Sequence, residues 1–291
     1  MRKSELERLK RNFVLLSLGP VIIVLVLITV LPFIINLSNS LHNYDLSNPL
    51  GYRFIGLENY KAIFIDSEFQ YSFLITLMFT SGTVVSEFFL GFGAALLVNK
   101  KIKGRRVIVT MAVLPFILTP VAVCYLWRTM YSPSLGIINY FLRILHLPES
   151  TWIASPRSAL FSVGLVDVWQ WSPFMMLILL AGLMSLSKEL FEAAQMDGAN
   201  SWQMFTRITF PLMAPISGSA ILLRTIDSFK TFDIIFALTR GGPGRFTEIL
   251  NIYIYLTGFT YLRMGYASAL AIIMLILVLS ISIFMVRKIN L

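Results

Sequence analysis

Glu87, Asp167, Arg224, Asp227, Lys230 and Asp233 stand within or at the ends of long apolar runs. Charge in hydrocarbon is costly, so groups placed this way face other protein or a water-filled cavity, and the chemistry open to them is ion pairing or contact with a polar solute. Arg224, Asp227, Lys230 and Asp233 recur every three residues with alternating sign, which predicts pairing along one helical stripe, Arg224 with Asp227 among them. Counting about 1.5 Å per helical residue puts Glu87 roughly 18 Å from one end of its run and Asp167 roughly 12 Å from the opposite end of its own. Both then lie near mid-membrane, Asp167 with Trp169, Gln170 and Trp171 beside it. The candidate solute path is Glu87, Asp167, Trp169, Gln170, Arg224, Asp227, Phe229, Lys230 and Asp233. Internal pairing, Arg224 with Asp227 or charges between spans, could instead serve only to hold the bundle together.

Catalytic chemistry finds little support. His42 and His146 are the two histidines and lack metal-ligand spacing, no nucleophile–base pair stands out, and no G-x-x-x-x-G-K-[ST] phosphate loop occurs. The single cysteine, Cys124, sits in an apolar run and reads as packing. A second polar constellation occupies residues 187–211. There Leu190, Phe191 and Ala194 recur at helical spacing, and Gly198 suits a left-handed helix end. Asn200 with Gln203 suits a capping box for a second short helix that Pro211 stops. The loop carries Glu189, Glu192 and Asp197 against Lys188 and Arg207, a balance that does not favour lying on anionic lipid.

The elements that must position these residues are membrane helices. Of 291 residues, 57% are apolar and 13% charged, and six runs are long enough to cross about 30 Å of hydrocarbon: 13–37, 71–98, 107–127, 159–186, 212–232 and 266–286. The first follows Arg2, Lys3, Arg8, Lys10 and Arg11 but is too long for a signal peptide and reads as a retained anchor. Lys100, Lys101, Lys103, Arg105 and Arg106 precede the third run. Basic residues are denser in these alternate segments, so both termini and the 187–211 loop are expected in the cytoplasm. The net charge of +9 is thus a topology signal rather than a nucleic-acid footprint.

Glu192-Ala193-Ala194-Gln195-Met196-Asp197-Gly198-Ala199, followed by Phe205, Ile208, Pro211 and Pro215, resembles the cytoplasmic signature loop of the membrane subunit of binding-protein-dependent ABC importers. Phe54-Ile55-Gly56-Leu57-Glu58-Asn59-Tyr60, Ser228-Phe229-Lys230-Thr231-Phe232-Asp233, Leu238-Thr239-Arg240-Gly241-Gly242-Pro243-Gly244 and Gly265-Tyr266-Ala267-Ser268-Ala269 resemble the sugar-type permeases. The chain is similar to the maltose, lactose and glycerol-phosphate permease family, without the additional N-terminal spans and large external insertion of the maltose member.

The resemblance implies an all-α, polytopic membrane protein with six transmembrane helices, the ABC importer permease fold and one permease domain over 1–291, in a bacterial or archaeal inner membrane. Glu192, Ala193, Ala194, Asp197 and Gly198 would form the coupling helix that meets a partner ATPase. Implied partners are a second permease, a different homologous chain, two ATPase subunits that bind ATP and Mg, and an external solute-binding protein. No cofactor or metal is expected on this chain. The cargo would be a sugar, oligosaccharide or polyol derivative. An ion-gradient-driven secondary transporter working through Glu87, Asp167 and Asp227 is the alternative, and it leaves the Glu192 loop unexplained.

Overall fold

The computed structural model describes Phe13 and residues 16–100 and 103–289. The basic residues before Phe13 and Lys101 lie outside the described residues. In lipid, a backbone must satisfy its own hydrogen bonds, and this chain does so with helices. In chain order these are α1 (Leu16–Ser40), α2 (Glu58–Ile65), α3 (Ser67–Asn99), α4 (Arg105–Ile117), α5 (Pro120–Met130), α6 (Ile137–Ile144), α7 (Ala159–Ser185) and α8 (Lys188–Met196). There follow α9 (Ser201–Phe229), α10 (Asp233–Leu238), α11 (Leu250–Tyr255) and α12 (Met264–Ile289). Helices α1, α3, α7, α9 and α12 are each long and apolar enough to cross a membrane, and α4 with α5 makes a sixth if the bent pair is one span.

That bend corrects the expected single helix over 107–127. Helices α4 and α5 meet at 95°. Pro120 lacks an N–H and its ring keeps Thr119 out of the helical region, and both Leu118 and Thr119 are extended, with ψ of 142° and 141°.

The described residues form two compact units, one of the residues before Ser67 with Ile254–Met274, the other of Ser67–Tyr253 with the residues after Met274. In the first, β1 (His42–Asn43) pairs antiparallel with β2 (Arg53–Phe54). Asn59 donates to the Ser40 and His42 carbonyls at 2.8 and 3.1 Å, and the Tyr60 and Ser40 hydroxyls share a 2.7 Å hydrogen bond. The Phe54–Tyr60 stretch therefore clasps the end of α1. Gly265 lies against this clasp with its N–H on the Tyr44 carbonyl at 2.8 Å, where a side chain would strike the His42 carbonyl.

In the second unit, α3 and α7 share the most extensive helix contact, with α4 and α9 packed on them. With no hydrophobic drive between helices in lipid, close approach through small residues does the work. A methyl on Gly91 would sit 2.6 Å from Met175 Cβ and 2.9 Å from the Met176 nitrogen. Phe92, Ala95, Val98, Met176, Leu179, Leu183 and Met213 fill the core below that contact.

Candidate functional site

Arg224 on α9, Glu87 on α3 and Asp167 on α7 meet in the interior of this unit, each side chain 0% exposed. The guanidinium grips Glu87 as a fork, Nε to Oε2 at 2.5 Å and Nη2 to Oε1 at 2.9 Å, and Nη2 also donates to Asp167 Oδ2. The Trp171 ring lies 4.7 Å from the guanidinium carbon, so a π-face covers the cation. Ser228 donates to Thr80 Oγ1 at 3.2 Å and shares a longer contact with Thr83, extending the polar seam between α9 and α3. Asp167 Oδ1 and Arg224 Nη1 are buried without a hydrogen-bond partner among the described residues.

Of the two pairings open to Arg224, with Asp227 along its own helix or between spans, the structure holds the one between spans, and Asp227 instead faces Lys230, Oδ1 to Nζ at 3.4 Å, at a partly exposed position. Three residues advance a helix by only 300°, and Arg224 turns wholly into the helix contact while Asp227 stays at its edge. Phe229 is buried, and Asn251 Nδ2 closes the end of α9 by donating to the Phe229 and Thr231 carbonyls at 3.3 and 3.2 Å. Asp233 opens α10 at an exposed position. Gln170 is buried and donates to the Leu118 carbonyl at 3.1 Å, pinning the break between α4 and α5. Trp169 meets Trp127 edge-on at 5.6 Å and, with Met111, Pro115, Ser172 and Pro173, lines a cavity of about 470 Å³ beside the same break. Sequence reasoning placed the three buried charges as candidates but missed the break, although the Thr119-Pro120 dipeptide carries its signal.

The 187–211 loop is built from capping chemistry. Ser187 Oγ accepts the Glu189 N–H at 3.2 Å to start α8. Gly198 stops it at φ +80°, with Gly198 N–H on the Gln195 carbonyl at 3.0 Å and Ala199 N–H on the Ala194 carbonyl at 2.9 Å, a Schellman motif. Asn200 and Gln203 then form the expected capping box, Gln203 N–H to Asn200 Oδ1 at 2.8 Å and Asn200 N–H to Gln203 Oε1 at 2.9 Å. Glu192, Ala193 and Asp197 are exposed, as are Met196 and Trp202, and Ala194 is half-buried.

Pro211 does not stop the second piece, as expected, but lies inside α9. A π-helical turn over Phe205–Thr209, closed by the Phe210 N–H on the Phe205 carbonyl, widens the helix just before the proline and makes room for its ring. Phe205 packs 5.9 Å from Phe92 on α3, which seats this turn in the core.

A helix pair broken at Pro120, a buried charge hub joining three long apolar helices and an exposed helical loop continuous with one of them fit a multi-pass membrane protein. The chain belongs to the family of binding-protein-dependent transport system inner membrane components, whose model matches residues 87–289, and is an ABC importer permease of the cell membrane. It is 36% identical over 283 residues to the trehalose/maltose transport system permease protein MalF of Thermococcus litoralis, covering 96% of this chain and 94% of that one. It is 34% identical over 280 residues to the sulfoquinovosyl glycerol transport system permease protein SmoG of Agrobacterium fabrum, covering 96% and 91%. Among solved structures, a chain of a bacterial alginate ABC transporter in complex with alginate pentasaccharide-bound periplasmic protein matches with a TM-score of 0.81 at 26% identity, covering 96% of this chain and 94% of that one.

Proposed function

We propose that this chain forms the translocation path of an ATP-driven sugar importer and takes work from partner ATPases through α8. The observation that carries the reading is mechanical continuity: an exposed, doubly capped α8 turns at Gly198 into one helix that runs from Ser201 through Pro211 to the buried Arg224. At about 1.5 Å per residue that helix reaches roughly 35 Å from the loop to the hub. There Arg224 binds α9 to α3 and α7, so a push on Glu192, Ala193, Ala194, Asp197 and Gly198 moves three helices together. Closure of two ATPase subunits on ATP would drive the push, and hydrolysis would reset it.

Their burial supports Glu87, Asp167 and Arg224 as the hub, whereas Trp169 and Asp227, half-buried, and Lys230 and Asp233, exposed, would meet the solute. Gln170 and Phe229 would shape the path by fixing the break and the end of α9. Both termini would lie in the cytoplasm with α8. A second permease, a different homologous chain, would complete the path, and an external solute-binding protein would deliver cargo. The relatives named for trehalose, maltose and sulfoquinovosyl glycerol, and the alginate transporter, support a sugar, oligosaccharide or polyol derivative as that cargo. Affinity purification of the tagged chain from its own membrane is expected to bring down two ATPase subunits and a second permease. A chain that purifies alone and drives solute uptake in liposomes on an ion gradient would overturn the proposal.

A further inference from the structure

We infer that the cleft between α5 and α10 is a binding site for an anionic group on the cargo, a carboxylate, sulfonate or phosphate carried on a sugar ring. The inference deepens the importer reading and rests on it for the word cargo. The cleft holds about 250 Å³ and is lined by Val121, Cys124, Tyr125 and Arg128 of α5 and by Phe236, Ala237 and Arg240 of α10 and its end. Among the described residues neither Arg128 nor Arg240 is in an ion pair, and the carboxylate that reaches the lining is Asp233, which acts on the Cys124 thiol rather than capping either guanidinium. Both guanidiniums are exposed, so water screens their mutual repulsion, and what the cleft offers an anion is two charge-assisted donors on one surface. A guanidinium is the side chain whose planar fork matches the oxygens of such an anion.

The backbone fixes where Arg240 stands. Arg240 sits at φ +53°, with its N–H on the Ile235 and Phe236 carbonyls at 3.0 and 3.2 Å, so it occupies the left-handed position that ends α10. Glycine is the residue that takes this conformation without strain, and Gly241 follows one place later. His146, Trp152 and Leu262 take the same left-handed conformation, so the turn itself asks for no ligand and the guanidinium is what this position adds to the cleft. The Arg240 guanidinium lies 5.9 Å from the Phe236 ring, and with Tyr125 opposite, the cleft offers aromatic surface beside positive charge. A neutral ring meets only the first of these, and a lone phosphate only the second.

The test uses the complete transporter in detergent, with glucuronate and glucose as millimolar probes read by saturation-transfer NMR. Glucuronate is expected to bind at least tenfold more tightly than glucose. Arg128→Gln and Arg240→Gln should each remove that preference, while Arg240→Gly should remove it and leave the fold at least as heat-stable. Equal binding of the two sugars, or a preference that survives both substitutions, overturns the inference. If native mass spectrometry shows the arginines retaining a phospholipid while glucuronate binding is unchanged in the variants, the cleft serves a lipid headgroup, which overturns it equally. Co-purification with ATPases is indifferent to these arginines, so failure here leaves the importer reading standing.

Discussion

Arg224 is the residue on which the packing of the second unit turns. A guanidinium facing two buried carboxylates is a poor source of net stability, because desolvation offsets most of the attraction, but removing one partner strands the others. Arg224→Leu is therefore expected to cost about 3–5 kcal/mol, read as a lowered unfolding midpoint in detergent. Replacing Arg224, Glu87 and Asp167 together by Met, Leu and Leu should recover most of that loss. Equal destabilisation by the single and triple changes would refute the hub. Each of the three charges was legible in the sequence as a charge in an apolar run. Pairing between spans was one of two readings, and the choice was not legible, because spacing along one helix equally offers Asp227 while the face of α9 that turns inward decides the partners.

At the scale of elements, local chemistry was legible wherever it is self-contained. Ser187, Gly198, Asn200 and Gln203 cap and end their helices as residue types dictate, since the partner of each lies within five residues. The two proline positions were harder, because what a proline does depends on whether the surrounding helix can absorb it. At Pro120 nothing widens and the span breaks; at Pro211 the Phe205–Thr209 turn absorbs the ring and the helix continues. The glycines of α3 separate in the same way. A methyl on Gly91 would strike Met175 and Met176 of α7, whereas one on Gly93 would meet nothing within 4 Å. Gly91→Ala should thus destabilise by about 1–3 kcal/mol through overpacking. Gly93→Ala should be neutral or stabilise by up to about 1 kcal/mol through helix propensity. Thermal unfolding of the two variants side by side decides it, and equal effects would show that α3 and α7 do not meet at Gly91.

For the molecule as a whole, the spans were legible because hydrocarbon thickness sets a length that any apolar run must meet, and the loop was legible because its signature is local. How the loop reaches the interior was not, since that depends on α9 passing Pro211 unbroken. This path is the account's central claim. Glu192→Lys in the assembled transporter tests it most directly, with cargo-stimulated ATPase activity and uptake measured together in proteoliposomes. Both are expected to be lost while the variant inserts, folds and keeps the Arg224 hub, shown by an unchanged unfolding midpoint. Normal uptake and normal stimulation in a Glu192→Lys transporter would contradict the coupling of α8 to transport.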